Sequence, residues 1–293
     1  MIDGFRDTPQ GRVHTLEWHD AGPGAPWLHF AHATGMCALL YAKALAPLAG
    51  RFNIVASDAR GHGTTELRAD PATLTSWSTY VDDLGDLLAS IHPGSWWLAG
   101  HSMGATVSAD LAARPAINVA GLALIEPAFV PFAAAASWEP VGPQPMADQA
   151  ARRRARWPSR EAIRAAYHGR GVFARWSDAA LDAYLAGGTR DAGGEIELAC
   201  APAWEAATFR AVSTTLQPAL AGWTRPLALF YGTVGSTVGK ADAAAIHAAA
   251  PQATVRRYDG AGHFLPIEQP GVLGEAVIAL AAGSATLAFA KSC

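Results

Sequence analysis

The sequence predicts an α/β fold in which a mostly parallel β-sheet is flanked by helices. Short apolar runs alternate with stretches of helical periodicity up to about residue 125, and the same rhythm resumes near residue 227. Hydrophobic residues make up 51% of the chain and charged residues only 16%, which excludes an intrinsically disordered protein. A length of 293 residues fits one decorated α/β domain.

The individual elements follow from apolar runs and from the residues that end them. Residues 74–91 carry apolar side chains at helical spacing, and this helix is expected to stop before Pro93 and Gly94. Two further helices are expected at residues 103–113 and 271–282. Strands are expected at seven short apolar runs, which are residues 13–18, 27–31, 53–57, 95–99, 120–125, 227–231 and 254–258.

The alternation of predicted strands and helices stops near residue 130. Prolines break the regularity there, and a helical region rich in arginine and tryptophan follows to about Pro218. We expect residues 1–129 and 221–293 to form the core and residues 130–220 to form a helical insertion. Four arginines lie in this insertion at positions 152, 153, 154 and 156, and we interpret them as the solvated face of a helix rather than an anion-binding patch.

Charge, cysteine content and hydropathy exclude several classes of protein. A formal net charge of −3 gives no long-range attraction to nucleic acid or to an anionic membrane. Cys37, Cys200 and Cys293 are far apart and odd in number, so we expect neither a disulfide framework nor a thiolate zinc site. The sequence has no signal-peptide pattern at its start and no run of 18 apolar residues, from which we expect a cytoplasmic protein.

A nucleophile motif stands at the end of one predicted strand. Residues 100–104 read Gly-His-Ser-Met-Gly and match the pattern G-x-S-x-G, with an apolar strand before them and a helix of small residues after them. A sharp strand-to-helix turn strains the serine backbone, so the flanking positions must lack bulk. The helix N-terminus offers free N–H groups to an anionic oxygen. We therefore predict that Ser102 is a nucleophile.

A serine nucleophile needs a base, and His263 is the best candidate. A serine hydroxyl is weakly nucleophilic at neutral pH, so it needs a base that is itself oriented by an acid. His263 follows the last predicted strand in a loop that contains Gly260 and Gly262. These glycines let the loop fold back over the strand ends, where the imidazole can reach Ser102.

Four segments of this sequence together resemble the α/β-hydrolase superfamily. They are Phe30–Met36, similar to the His-Gly-x loop after the third strand of that family, Asp58–Gly63, similar to its D-x-R-G-x-G loop, the Ser102 motif and the Gly262-His263 loop. Their order and spacing match the family along nearly the whole chain. The resemblance implies a mostly parallel eight-stranded sheet flanked by helices, with residues 130–220 as a cap.

The resemblance also implies an oxyanion hole. Its donors would be the backbone N–H groups of Met103, next after the nucleophile, and of Thr34, which matches the residue after the His-Gly of the family. Here the loop reads His-Ala instead of His-Gly. We expect His32 and the loop from Arg60 to Gly63 to brace the site from below.

The acid of the triad departs from the family pattern. Members of the family usually carry it after the seventh strand, where this chain has no carboxylate before Asp242. Some family members with caps, including certain haloalkane dehalogenases, place the acid at the end of the sixth strand, and Glu126 follows four apolar residues at the matching position. We predict that Glu126 is the acid. Asp259 and Asp242 are the weaker alternatives.

A Ser-Glu-His set with an oxyanion hole predicts a serine hydrolase that forms an acyl-enzyme and needs no metal or cofactor. Its substrate is expected to be a small or medium apolar ester or lactone held between cap and core, with Phe132, Trp138 and Trp204 as candidate pocket residues. Three alternatives stay open. They are hydrolysis of a C–C bond, cofactor-free perhydrolysis with the same triad, and a non-catalytic ligand-binding protein of the same fold.

Overall fold

The computed structural model describes residues 1–138 and 144–282. Its strands are β1 (Ile2–Thr8), β2 (Gly11–Trp18), β3 (Trp27–Ala31), β4 (Asn53–Ser57), β5 (Trp96–His101), β6 (Val119–Ile125), β7 (Arg156–Trp157), β8 (Thr189–Ala192), β9 (Glu195–Leu198), β10 (Leu227–Val234) and β11 (Thr254–Gly262). The expected tail from residue 283 onwards lies outside the described residues.

Helices occupy both the core and the segment from residue 130 to residue 220. They are α1 (Ala42–Leu45), α2 (Ser78–Ile91), α3 (Met103–Ala112), α4 (Phe132–Ala135), α5 (Pro145–Ala151), α6 (Arg160–Tyr167), α7 (Asp178–Gly187), α8 (Pro202–Arg210), α9 (Leu216–Leu220), α10 (Lys240–Ala249), α11 (Leu265–Glu268) and α12 (Gly271–Ala282). Short 3₁₀ helices lie at Ala38–Tyr41, Ala46–Leu48, Pro71–Thr73 and Gly171–Phe173.

The main sheet has eight strands in the order β1-β2-β4-β3-β5-β6-β10-β11. Strand β2 pairs antiparallel with β1 and with β4, and every other pairing in this sheet is parallel. The predicted fold class, a mostly parallel sheet flanked by helices, is therefore confirmed. Strand β1 was not predicted, because it is an edge strand whose side chains are exposed or half-buried and form no apolar run.

The central strands are buried on both faces, which explains their continuous apolar sequences. In β6, Leu122 and Leu124 pack into one hydrophobic cluster, and Ala123 and Ile125 pack into the other. Helix α12 and Leu45 contribute to the cluster that contains Ile125, whereas α2, α3 and α10 contribute to the cluster that contains Leu122. Parallel sheets are typically covered by helices on both faces in this way.

The segment from residue 130 to residue 220 is not purely helical, contrary to the sequence prediction. Alongside α4–α9 it contains a small antiparallel sheet in the order β7-β9-β8. These strands are only two to four residues long, and seven of their ten side chains are exposed or half-buried, so they leave no apolar run in the sequence. Within the described residues, no helix combines the length and apolar character that crossing a membrane requires.

Candidate active site

Ser102 lies at a sharp turn between β5 and α3. Its backbone has φ 56° and ψ −120°, a conformation that residues with side chains rarely adopt. The glycines of the motif are required by space. A Cβ on Gly100 would overlap the backbone of Gly104, and a Cβ on Gly104 would overlap the carbonyl of Ala31 at the end of β3. The turn thus presents Ser102 at the carboxyl edge of the sheet.

Ser102, His263 and Glu126 form one hydrogen-bonded chain. The Oγ of Ser102 lies 3.0 Å from Nε2 of His263, and Nδ1 of His263 lies 3.0 Å from a carboxylate oxygen of Glu126. Because the carboxylate accepts, Nδ1 carries the proton, and Nε2 is left as the acceptor for the serine hydroxyl. The structure therefore brings together the three residues that the sequence analysis selected as nucleophile, base and acid.

Register explains why residues so far apart in sequence meet. His101 pairs with Ile125 across β5 and β6, so the next residues, Ser102 and Glu126, emerge side by side. The N–H of Glu126 donates to Phe230 in β10, at 2.9 Å. Strand β10 pairs with β11, after which His263 follows directly. All three side chains thus leave the same edge of the sheet, where parallel strands end.

Glu126 is completely buried and is held by the loop that follows β10. Its carboxylate accepts hydrogen bonds from the Ser236 hydroxyl, from the backbone N–H of Thr237 and from the backbone N–H of Gly232. Burial by itself raises the pKa of this carboxyl group, but the hydrogen bond and charge of His263, helped by these N–H donors, lower it below its ordinary value. Glu126 therefore stays ionised. Its backbone, like that of Ser102, has a positive φ angle, 49°.

The two alternative acids lie elsewhere. Asp242 accepts from the N–H of Gly239 at the start of α10 and from the N–H of Phe132. Asp259 forms an ion pair with Arg257. Neither carboxylate forms a described hydrogen bond to His263, so Glu126 is the carboxylate that the geometry favours.

The proposed oxyanion donors lie on adjoining segments. Met103 is the first residue of α3, so its N–H has no acceptor within the helix. Thr34 follows β3 in a loop that packs against the first turn of α3, as the close approach of Gly104 to Ala31 and His32 shows. Within the described residues, the N–H of Thr34 has no hydrogen-bond partner. Neither N–H thus donates to another group among the described residues, as the predicted oxyanion hole requires.

Buried histidines brace the loop that carries Thr34. Nε2 of His62 accepts from the N–H of Gly35 at 3.0 Å, and Nε2 of His32 accepts from the N–H of Ala59 at 2.9 Å. Burial lowers the pKa of both imidazoles, to about 3 for His62, so they act as neutral acceptors. This matches the structural role that the sequence analysis gave to these residues.

His101 has a positioning role that the sequence analysis did not identify. Its Nε2 donates to the carbonyl of His263 at 2.8 Å, and its Nδ1 accepts from the Tyr41 hydroxyl at 2.7 Å. Burial lowers the pKa of His101 well below its ordinary value, which keeps this ring neutral. The variable position of the G-x-S-x-G motif gives no sign of this contact, because it depends on the path of the loop after β11.

The three predicted pocket residues lie in different surroundings. Phe132 is half-buried and stacks on Phe129 with ring centroids 4.8 Å apart. Trp138 is 37% exposed and lines a surface groove with Arg114. Trp204 is buried, and its indole N–H donates to the carbonyl of Arg60 at 2.9 Å, so it joins α8 to the loop after β4.

The interpretation of the arginine run was wrong in two respects. Helix α5 ends at Ala151, so the run follows the helix instead of forming its solvated face. Arg152 and Arg154 are exposed, but Arg153 turns inward and pairs with Glu205, a buried residue of α8, at 2.5 Å. Burial of one arginine among several depends on tertiary packing, so no local pattern distinguishes it. Among the described residues, no group of three or more His, Cys, Asp or Glu side chains is placed to hold a metal ion.

Comparison with known proteins identifies the family. Residues 21–276 match the model of the "Alpha/beta hydrolase family". The chain is an α/β-hydrolase. A curated relative of this α/β-hydrolase is 2-(acetamidomethylene)succinate hydrolase of Mesorhizobium japonicum, 31% identical over 122 residues, a match that spans 42% of this chain and 41% of the relative.

Solved structures share the fold over nearly the whole length of this α/β-hydrolase. E-2-(acetamidomethylene)succinate hydrolase has a TM-score of 0.77 at 22% identity, covering 94% of this chain and 97% of the other. N-formylmaleamic acid deformylase of Pseudomonas putida has a TM-score of 0.67 at 20% identity, and the match covers 94% of this chain and 100% of the deformylase. The enol-lactonase of Burkholderia xenovorans has a TM-score of 0.66 at 21% identity, and the match covers 94% of this chain and 99% of the lactonase. At these identities the likeness shows the fold alone.

Proposed function

We propose that this α/β-hydrolase is a serine hydrolase that cleaves a small ester or lactone through an acyl-enzyme intermediate. The observation that carries the proposal is the continuous hydrogen-bonded chain from Ser102 through His263 to Glu126, with both distances at 3.0 Å. A nucleophile in hydrogen-bond contact with a base, and a base oriented by a third group, is the arrangement that activates a serine hydroxyl. A ligand-binding protein without catalysis has no need of this arrangement.

The reaction follows from the proton positions. Ser102 Oγ attacks the acyl carbon while its proton passes to Nε2 of His263, and the ionised Glu126 stabilises the imidazolium that forms. The N–H groups of Met103 and Thr34 would stabilise the oxyanion, each contributing on the order of 3 kcal/mol. The imidazolium then protonates the leaving alcohol. Water, deprotonated by the same imidazole, releases the acid and restores Ser102.

We further propose that residues 130–220 act as a cap over this site. Trp204 joins α8 to the loop after β4, and Trp176 packs on Phe264, the neighbour of His263, with ring centroids 5.3 Å apart. A segment that contacts the core on both sides of the reacting serine encloses the space above it. An enclosed site strengthens the electrostatic interactions within it and limits the size of the substrate.

The relatives are compatible with hydrolysis of a small organic molecule. Their names specify a hydrolase of 2-(acetamidomethylene)succinate, a deformylase of N-formylmaleamic acid and an enol-lactonase. The first two named substrates contain carboxyl groups. These names support acyl transfer to water as the reaction class that this chain performs, with ester or lactone as the bond we propose.

Hydrolysis of p-nitrophenyl butyrate tests the proposal. The wild-type protein should release p-nitrophenol with saturation kinetics, and Ser102→Ala should reduce kcat by at least about 10⁴, because the variant lacks the nucleophile. Circular dichroism should show that the variant keeps its fold. A folded Ser102→Ala protein that retains activity within tenfold of wild type would refute the assignment of the nucleophile.

A further inference from the structure

A buried arginine lies beside the loop that carries Thr34. Arg153 follows α5, and only 20% of its side chain is exposed. Its Nη1 lies 3.7 Å from the position that a Cβ on Gly35 would occupy, and Gly35 is the residue after Thr34. A permanently charged group therefore stands close to the proposed oxyanion hole, in a segment that the triad chemistry does not use.

The partners of Arg153 leave donors unused. Its Nη1 donates to Glu205, and its Nη2 donates to the hydroxyls of Tyr167 and Tyr184, at 3.1 Å each. Three of the five guanidinium N–H groups are thus engaged. Nε–H and the second Nη1–H have no partner among the residues that the structure describes. The two tyrosine hydroxyls accept from Arg153, and no described hydrogen bond uses them as donors.

A second unused donor points to the same region. Trp176 is 8% exposed, and its indole N–H has no hydrogen-bond partner within the described part of the chain. Its ring contacts Tyr184 on one side, at 5.9 Å between centroids, and Phe264 on the other, at 5.3 Å. A buried indole N–H without a partner costs free energy, so an acceptor supplied by a bound ligand would stabilise it.

These groups connect to both sides of the reacting serine. On one side, Glu205 and Arg153 lie 2.5 Å and 3.7 Å from the position that a Cβ on Gly35 would occupy, in the loop that carries Thr34. On the other side, Trp176 reaches Phe264, whose ring lies 5.4 Å from that of His263. Arg153 thus lies next to the residue after Thr34, and Trp176 lies against the residue after His263.

We propose that Arg153 binds a carboxylate at the far end of the acyl group, so that the substrate is a small anionic ester. This inference rests on the proposed function. An unused guanidinium N–H donates a charge-assisted hydrogen bond to a carboxylate, and the ion pair with Glu205 holds the guanidinium in place. A purely structural ion pair would not require the additional donors of Tyr167, Tyr184 and Trp176. This substrate differs from the apolar ester expected from the aromatic residues of segment 130–220, because its acyl group ends in a carboxylate.

Two methyl esters of matched size test this proposal. Monomethyl succinate carries a carboxylate, and methyl butyrate has an acyl chain of the same length without one. We expect wild-type kcat/KM to be at least about tenfold higher for monomethyl succinate. Arg153→Gln should lower the ratio of the two kcat/KM values about 100-fold, because the carboxylate then loses its charged partner. Arg152→Gln, which alters an exposed neighbour in the same run, should leave the ratio unchanged.

The outcomes separate this proposal from the proposed function. If neither ester is hydrolysed and a phosphonate does not label Ser102, the serine hydrolase assignment fails. If both esters are hydrolysed and wild type shows no preference for the anionic one, the carboxylate site is refuted. An equal loss on both esters in Arg153→Gln, with an unchanged ratio, also refutes it, because that result indicates a structural role.

A measurement on wild type keeps the proposal testable if Arg153→Gln does not fold. Succinate should inhibit hydrolysis of methyl butyrate competitively, with an inhibition constant at least about tenfold lower than that of succinamide, which has the same length and no charge. Raising the ionic strength should weaken inhibition by succinate only. Equal inhibition by the two compounds would overturn the assignment of Arg153.

Discussion

At the scale of single residues, Ser102 and Glu126 both have a positive φ angle, which side-chain-bearing residues rarely adopt. Their φ angles are 56° and 49°. Such residues cost on the order of 1–3 kcal/mol each, and they persist where the surrounding structure fixes them. Both stand at the first position beyond a central strand, so the strain aims both side chains at His263. The positive φ is thus common to the proposed nucleophile and to the proposed acid at its unusual position.

Glu126→Gln should reduce kcat by on the order of 10⁴, by analogy with acid-to-amide changes in other triads. The amide keeps the shape of the side chain, but it cannot stabilise the imidazolium of His263 or fix its tautomer. The measurement is steady-state hydrolysis of p-nitrophenyl butyrate. As a control, Asp242→Asn should change kcat little, since Asp242 caps α10 instead of contacting His263. A Glu126→Gln enzyme with near-normal activity would exclude Glu126 as the acid.

His263→Ala should reduce activity about as much as Ser102→Ala, and the double variant should be no slower than either. The physical reason is that nucleophile and base act as one unit, so their contributions do not add. Single and double variants are compared by kcat with the same ester. A double variant much slower than both single variants would mean that another group activates Ser102.

The three residues that the structure brings together could be selected from the sequence because their signals are local. Ser102 has glycines on both sides, His263 follows a glycine, and Glu126 ends an apolar run. The residues that hold Glu126 in place could not be predicted in this way. Ser236 and Thr237 occupy the place of the usual acid and hold Glu126 by hydrogen bonds, a relation between segments more than a hundred residues apart. The inward turn of Arg153 likewise depends on α8 packing beside it.

At the scale of elements, the contact of α3 with the loop after β3 sets the relative positions of the two proposed oxyanion donors. Helix α3 begins so close to this loop that a Cβ on Gly104 would overlap the carbonyls of Ala31 and His32. Strands β3 and β5 are paired up to Ala31 and Gly100, so neither element can shift without breaking the ladder. Close packing of α3 on this loop therefore fixes Met103 relative to Thr34.

Gly104→Ala should destabilise the protein by about 1–3 kcal/mol and reduce kcat as well, because the added methyl group displaces the loop that carries Thr34. Urea unfolding and ester hydrolysis measure the two effects. Gly274→Ala is the matched control. It lies within α12 with open space around a Cβ, and alanine there should stabilise the helix by up to about 1 kcal/mol without changing kcat. Full activity in Gly104→Ala would show that the contact does not position the oxyanion donors.

Several elements were predictable because both faces of the central strands are buried. This burial makes β3, β4 and β6 mainly apolar runs with clear ends. Strand β1 and the sheet β7-β9-β8 lack that signal, since they lie at an edge or outside the main core. The division into core and cap and the cytoplasmic location stay predictions.

At the scale of the whole molecule, a buried ion pair ties the first hairpin to the site loops. Nδ1 of His14 in β2 lies 2.7 Å from Asp58 after β4, and Asp58 also accepts from the N–H groups of Ala38 and Thr64. Burial lowers the pKa of His14, but the hydrogen bonds and charges of Asp58 and Asp3 outweigh it and raise the pKa to about 9. His14 therefore binds its proton more tightly in the folded protein than in the unfolded chain.

The free energy of unfolding should fall between pH 7 and pH 9. A pKa raised on folding stabilises the protein below the unfolded value near 6.5, and this stabilisation is lost as the pH rises through about 9. Urea unfolding at several pH values measures the decline. His14→Gln should be less stable at pH 7 and should show a flatter pH dependence, because glutamine has no proton to lose. The same slope in both proteins would exclude His14 as its source.

Covalent labelling tests the central claim, that Ser102 is a nucleophile activated by His263 and Glu126. The wild-type protein is treated with a p-nitrophenyl alkylphosphonate, and the modified residue is located by mass spectrometry of peptides. We expect one adduct, on Ser102, none on Ser102→Ala, and labelling slowed at least about 100-fold in His263→Ala. An adduct on another serine, or labelling of Ser102 at an unchanged rate in His263→Ala, would contradict the account.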